Sequence, residues 1–330
     1  MPISTIDAHV CGSTVRLIVD GFPSPRGTTM AARLASAARR ADAVRQLVVN
    51  EPRGHAALTA AVLTEPGEAG ADAGVLFMDV SGFKPISLHG LLAVATVASE
   101  RGLVVTRDAD RMVIDTADGS VQVRLERGAD GRVLRACATG VASFVMAAGV
   151  DLSVPGRRIR ADLAYGGGAY AIVDAETAGV VVSGAQVGAL QMAGLAIANA
   201  IDATVDLTHP GTGEVLPLDG VVFTAPPRAE HAGLMSAVVR RHGGVERSPS
   251  GRGTAALMAV LDAMGLLAGD GPFVHEGLTG LTLAGQVASR TRVGQVPAIV
   301  PEIAGSAFIT GVHTFEVSAD DPLRGGFRLS

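Results

Sequence analysis

Apolar positions along this chain fall into two spacings. Runs rich in β-branched residues and bounded by Gly or Asp occupy 14–20 (Thr-Val-Arg-Leu-Ile-Val-Asp), 74–80 (Gly-Val-Leu-Phe-Met-Asp-Val) and 111–124. They predict strands, the last folding as a hairpin about Ala117-Asp118-Gly119. The second half follows the same order, with strands predicted near 159–164, 169–174, 220–224, 281–286 and 306–317. Two further segments, beginning at Ser87 and Ser250, are apolar on nearly every side and read as helices buried all round. Segment 185–201 carries apolar residues at helical spacing and predicts an amphipathic helix packed on the second sheet.

The two all-apolar segments are copies of one another. Ser87-Leu-His-Gly90 through Val104 aligns without a gap on Ser250-Gly-Arg-Gly253 through Leu267, sharing among others the serine, the next glycine, a valine, the closing glycine and a leucine. A repeat of about 160 residues is too long for a solenoid and fits a duplicated α/β domain. Pro155-Gly156 is the strongest punctuation, which divides the chain into 1–155 and 156–314. Each helix start opens with a hydroxyl and glycines, which makes both of them candidate ligand-binding ends.

Composition narrows the field. A chain of 330 residues can bury two separate cores, and 48% hydrophobic with 18% charged residues is globular. A net charge of -5, no run of basic residues, no Trp and two Tyr exclude a nucleic-acid surface. The start, Met-Pro-Ile-Ser-Thr-Ile-Asp, has neither a basic nor an apolar leader region. The greasy stretch 179–201 is interrupted by Ser183, Gln186, Gln191 and Asn199, so the expectation is a cytoplasmic protein with no membrane partner. Cys11 and Cys137 are too few for a disulfide framework or a metal cage, and His209, His231, His242 and His275 lack metal spacing and are expected on the surface or in loops. Tyr165-Gly-Gly-Gly168 lacks the strand and helix context of a dinucleotide loop.

Motifs in order along nearly the whole chain resemble the proline racemase family. They are Asp7-Ala-His9-Val-Cys-Gly12-Ser-Thr-Val-Arg16, Glu51-Pro-Arg-Gly54-His55, Gly82-Phe-Lys-Pro-Ile-Ser87-Leu-His89-Gly90, Glu246-Arg-Ser-Pro-Ser250-Gly-Arg-Gly253-Thr254, and the tail from Pro301 through Gly326-Phe-Arg. The resemblance implies a diaminopimelate-epimerase-like α/β (α+β) fold: two pseudo-symmetric domains, each a curved mixed sheet around a central helix, with segment 315–330 returning to the first. It also implies a homodimer, no cofactor, no metal, and action on the Cα proton of proline or hydroxyproline as a racemase, 2-epimerase or 3-hydroxyproline dehydratase.

That chemistry needs a base and a place for negative charge to spread. Helix N-termini supply the second, since their unpaired amides and positive dipole end bind oxyanions. Gly90, Gly251 and Gly253 would let a carboxylate approach the backbone, while Leu88 replaces a family glycine and narrows the approach. By the resemblance, Glu246 and His89 would meet the ring nitrogen. Both family cysteines are serine here, at Ser87 and Ser250, and a hydroxyl is far less acidic than a thiol of pKa near 8.5. Symmetric racemisation is thereby disfavoured.

Dehydration of trans-3-hydroxy-L-proline, which needs one base and one acid, comes first. Hydroxyproline 2-epimerase or proline racemase activity are the alternatives, followed by a non-catalytic amino-acid-binding protein or a specialised isomerase or lyase. Lys84 could assist a hydroxyl or stand as a solvated loop lysine. Arg252, replacing a threonine, could grip a second anionic group of a larger or more acidic substrate. Asp7 and Arg16 are expected to pair structurally, and His55 to hydrogen-bond within its loop.

Overall fold

In the computed structural model, which describes residues 2–267 and 271–328, the chain forms two compact units. The first is Met1–Ala138 with Gly305–Ser330, the second Thr139–Ala304. Met1 and positions 329–330, included in the expected domain ranges, lie outside the described residues.

The first unit contains strands β1 (Ile3–Val10) and β2 (Ser13–Asp20), helices α1 (Met30–Arg40) and α2 (Asp42–Val49), strands β3 (Thr59–Thr64), β4 (Ala73–Asp79) and β5 (Gly82–Lys84), helix α3 (Leu88–Glu100), and strands β6 (Arg111–Thr116), β7 (Gly119–Arg127) and β8 (Val133–Thr139). The second contains β9 (Phe144–Val154), β10 (Arg157–Tyr165), β11 (Ala169–Asp174), the one-turn α4 (Ala175–Ala178), α5 (Val187–Thr204), β12 (Leu218–Ala225), β13 (Leu234–Arg240), α6 (Gly251–Ala263), β14 (Phe273–Glu276), β15 (Thr282–Val293) and β16 (Val296–Gly305). The last strand, β17 (Ala307–Phe315), returns to the first unit and pairs antiparallel with β1.

With β17 in place, the sheet of the first unit runs β17-β1-β2-β3-β4-β6-β7-β8, and that of the second β9-β10-β11-β12-β13-β14-β15-β16. Neighbour by neighbour the directions coincide: antiparallel twice, parallel, antiparallel, parallel, antiparallel twice. Parallel neighbours need a crossover. α3 makes one in the first unit and α6 makes the corresponding one in the second. The duplication read from the sequence is thus a duplication of topology.

Each sheet curves around its crossover helix. α3 packs against β1, β2, β3, β7 and β17, and every residue from Leu88 to Ala98 except His89 is buried. α6 packs in the same way against β9, β10, β11 and β15. A helix surrounded by strands has no polar face, which is why both segments are apolar all round. In the second unit the curvature brings the lead-in to β9 onto β16, where Ser143 and Ile299 exchange backbone hydrogen bonds of 2.7 and 2.9 Å.

On the outer face, α5 buries Leu190, Gly194, Ile197, Ala198 and Ile201 against β9, β12 and β13, as its spacing predicts. A Cβ on Gly194 would lie 2.6 Å from Val239 Cβ, so glycine is what lets the helix approach. By length and composition alone Gly184–Thr204 would pass for a membrane span, but its buried stripe packs on the sheet.

Pro155-Gly156 does not separate the halves. Val154 pairs with Arg157 across it, and Gly156 at φ 79° makes the turn of the β9–β10 hairpin inside the second unit. The units divide instead at 138/139, and the returning segment starts at Gly305 rather than 315 because β17 is an outer strand of the first unit.

Asp7 and Arg16 pair within the first unit. Arg16, 6% exposed, meets Asp7 Oδ2 at 2.7 Å, donates to the carbonyls of Val48 and Arg53 at 2.7 and 2.6 Å, and lies 4.6 Å from the Phe315 ring centre. One guanidinium thereby ties β1, β2, the end of α2, the Glu51–Ala57 loop and the returning segment together. His55 accepts from the Ala57 amide at 3.2 Å in that loop.

Candidate active site

The start of α3 follows the short β4–β5 hairpin. Ser87 is its N-cap, with extended backbone, and its Oγ accepts the Gly90 amide at 3.1 Å. This satisfies one of the four amides that a helix start leaves unpaired, the role serine fills best. Leu88 is buried, while Ser87 and His89 are half-buried. A Cβ on Gly90 would sit 2.3 Å from Phe77 Cε1, so this glycine is required by an aromatic ring packed under the helix start. Lys84 Nζ lies 3.8 Å from Asp79 Oδ2 across the hairpin.

The start of α6 repeats the cap. Ser250 Oγ accepts the Gly253 amide at 3.2 Å, and Ser250 is 2% exposed. A Cβ on Gly253 would come within 3.3 Å of that same Oγ, so Gly253 leaves room for the capping hydroxyl. Gly251, the first residue of the helix, is buried as well.

Beneath this helix start, Thr254 Oγ1 and Ser236 Oγ each lie 2.8 Å from opposite ring nitrogens of His275. His275, expected at the surface, is completely buried, and burial pushes its pKa down to about 3. Its two hydroxyl partners make such a placement tolerable for a neutral imidazole. His231 and His242 are exposed, and His209 lies edge-on to Phe144 and Tyr165.

Arg252, with its side chain 15% exposed, turns into its own unit. Its Nη1 donates to the Gly167 carbonyl at 2.7 Å and lies 3.4 Å from Asp219 Oδ2. The Gly166–Gly168 turn is shaped around it: a Cβ at Gly166 would lie 2.4 Å from the Arg252 carbonyl oxygen, and one at Gly168 3.1 Å from Nη1. The glycine run is therefore the cradle of an arginine, and the guanidinium meets a carboxylate of its own chain. Glu246, also half-buried, forms an ion pair with Arg240 Nη2. Within electrostatic reach of both pairs is the fully buried Tyr170, whose hydroxyl has no hydrogen-bond partner among the described residues and whose pKa is raised by desolvation.

The two helix starts share a capping hydroxyl and differ in charge. The first has His89 and a glycine resting on Phe77; the second has Glu246, Arg240, Arg252 and Asp219 close by. Sequence reasoning missed Phe77, Asp219, Tyr170 and Arg240. Only Arg240 left a signal, since the intervening Gly243-Gly244 marks a tight turn that brings it back toward Glu246. No cluster of three or more potential metal ligands occurs among the described residues.

A duplicated sheet-around-helix fold with a capped helix start in each copy defines the diaminopimelate-epimerase-like class. The proline racemase family model matches residues 5–328, and the chain belongs to that family of isomerases and lyases. It is 36% identical over 327 residues to a trans-3-hydroxy-L-proline dehydratase of Bacillus cereus, covering 99% of this chain and 98% of the relative. It is 38% identical to a 4-hydroxyproline 2-epimerase of Streptosporangium roseum, covering 98% and 97%. A hydroxyproline epimerase from Agrobacterium vitis, solved with trans-4-hydroxy-L-proline bound, superposes with a TM-score of 0.87 at 26% identity, over 99% of this chain and 95% of that one.

Proposed function

We propose that this enzyme removes the Cα proton of a pyrrolidine-2-carboxylate and expels its 3-hydroxyl, dehydrating trans-3-hydroxy-L-proline. The observation that carries the reading is that each helix start bears a hydroxyl, held by an amide of its own helix, where a two-base racemase needs a thiol. A hydroxyl is a far weaker acid than a thiol, which disfavours the symmetric two-base exchange of a racemase and favours a reaction that needs one base, relayed through a neighbour. In this reading the Cα–H electron pair becomes the Cα–C3 double bond, the C3–O bond breaks, and the oxygen leaves as water after taking a proton.

Ser250 is assigned to the leaving oxygen. Ser87 is assigned to the Cα side, with His89 beside it as a group able to relay the proton. The positive ends of α3 and α6 stabilise charge on the carboxylate. Glu246 and His89 take the ring nitrogen. Leu88 and Arg252 shape the two ends from within, and Lys84 is auxiliary. The reading includes a cytoplasmic homodimer, which sedimentation would test. The identity to the Bacillus cereus dehydratase supports it, and the identity to the Streptosporangium roseum epimerase supports hydroxyproline 2-epimerisation as the second reading.

Incubation in D2O with proline, both 3-hydroxyprolines and 4-hydroxyproline separates them. Release of a ketimine without inversion is expected, whereas Cα exchange with inversion would favour the epimerase. No exchange with any of the four would sink the proposal.

A further inference from the structure

The ion pair of Arg240 with Glu246 takes no part in the steps above, yet it falls on the residue assigned to the ring nitrogen. The backbone fixes it. Arg240 N donates to the Gly244 carbonyl at 2.7 Å, Glu246 N donates to the Val238 carbonyl at 2.9 Å, and Val239 bridges to Val245 between them. In such a ribbon, residues 240 and 246 are diagonal neighbours on one face, within reach of long side chains. The Glu246 side chain is 12% exposed and that of Arg240 30%, so the pair is shielded enough to count for more than a surface contact. Around it, Arg252 and Asp219 form a second pair, and the Tyr170 hydroxyl adds no charge.

We propose that Arg240 makes the Glu246 subsite electrically neutral, so that it favours a ligand with an uncharged ring atom over one carrying a ring ammonium. The proposal rests on the assignment of Glu246 to the ring nitrogen. It has a use in dehydration. As the Cα–C3 double bond forms, the nitrogen becomes part of an enamine and its ammonium proton passes to solvent. An unshared carboxylate would hold the ammonium and oppose that loss; one shared with Arg240 holds it less. Arg240 weakens ground-state binding of the cation relative to the uncharged state that follows it. It touches no reacting atom and acts through Glu246 as a positioning residue.

The test is calorimetric binding of L-proline and of tetrahydrofuran-2-carboxylate, which keeps the ring and carboxylate and replaces the ammonium by oxygen. Wild-type protein is expected to bind the oxygen ring at least as tightly as proline. Arg240→Gln should tighten proline by about tenfold, the scale of one partly shielded charge contact, and leave the oxygen ring within about twofold. Arg240→Lys should keep the wild-type ratio. With any substrate turned over, Arg240→Gln should lower KM and kcat together. Equal shifts for both ligands, or an unchanged ratio in protein that still exchanges the Cα proton, overturn the role of Arg240 and leave the proposed reaction standing. Binding of neither ligand by any folded form overturns both. Should Arg240→Gln fail to fold, the wild-type ratio decides alone: proline bound more than about tenfold tighter than the oxygen ring refutes the proposal.

Discussion

Arg252 Nη1 donates to the carbonyl of Gly167 at 2.7 Å, and this contact fastens the first turn of α6 to the β10–β11 turn. The arginine is thereby part of the scaffold of its helix start, and the substitutions around it have separable effects.

Gly166→Ala should be the most damaging. Its Cβ would lie 2.4 Å from both the Ala256 amide nitrogen and the Arg252 carbonyl oxygen, backbone atoms that cannot swing aside. A loss of about 3 kcal/mol in urea unfolding is expected, at the upper end for an overpacked site. Arg252→Thr should cost about 1–2 kcal/mol through the lost hydrogen bond. Unchanged stability with a raised KM would mark Arg252 as a substrate contact instead.

The two capping serines give a second prediction. Ser87→Ala and Ser250→Ala should each cost about 1 kcal/mol, Ser250 the more because its side chain sits in the more deeply buried cap. Ser87→Cys with Ser250→Cys places thiols at helix starts, where their pKa falls. Cα exchange with inversion in D2O is expected to appear and to rise with pH through the thiol range. The background is quiet: Cys11 and Cys137 are buried, and burial pushes the Cys11 thiol up to about 11. A thiol reagent at pH 8 should therefore label the Ser87→Cys variant faster than wild type.

His275 predicts a pH dependence. Its folded pKa, about 3, lies below the ordinary 6.5, so the unfolded chain binds the proton first as pH falls. Its contribution is whole above pH 6.5 and is lost between about 6.5 and 3, at up to about 1.4 kcal/mol per pH unit. Urea unfolding at pH 7, 5.5 and 4.5 should show wild type losing stability more steeply than His275→Gln. Equal slopes would mean that the imidazole is not held neutral.

The Asp7–Arg16 pair tests the first unit separately. Asp7→Ala leaves a buried guanidinium uncompensated and should cost about 3–5 kcal/mol. In hydrogen exchange the loss of protection is expected in β1, β2 and β17, with α6 and its strands unchanged.

Much of this was legible in the sequence, for local reasons. α3 and α6 declare themselves by apolar residues on every side and by a serine three residues before a glycine, and the turn at Ala117-Gly119 marks the β6–β7 hairpin. What escaped depends on partners far along the chain. Arg252 reads as an anion grip because its acceptor lies 85 residues away, and His275 reads as a surface residue because its hydroxyls are 21 and 39 residues distant. Pro155-Gly156 looks the same in a hairpin as in a linker. The strand at 307–315 was foreseen, but its sheet was not, since nothing local says that it pairs with β1.

That last pairing bears on how the protein is made. All eight strands of the second unit have been synthesised once the chain reaches Gly305, whereas the first unit lacks its outer strand until Phe315 has emerged. Until then, β1 offers an unpaired edge, the kind of surface that recruits other chains. During translation, the second unit is therefore ready to fold before the first, and the emergence of Ala307–Phe315 determines when the first unit stops being vulnerable to aggregation.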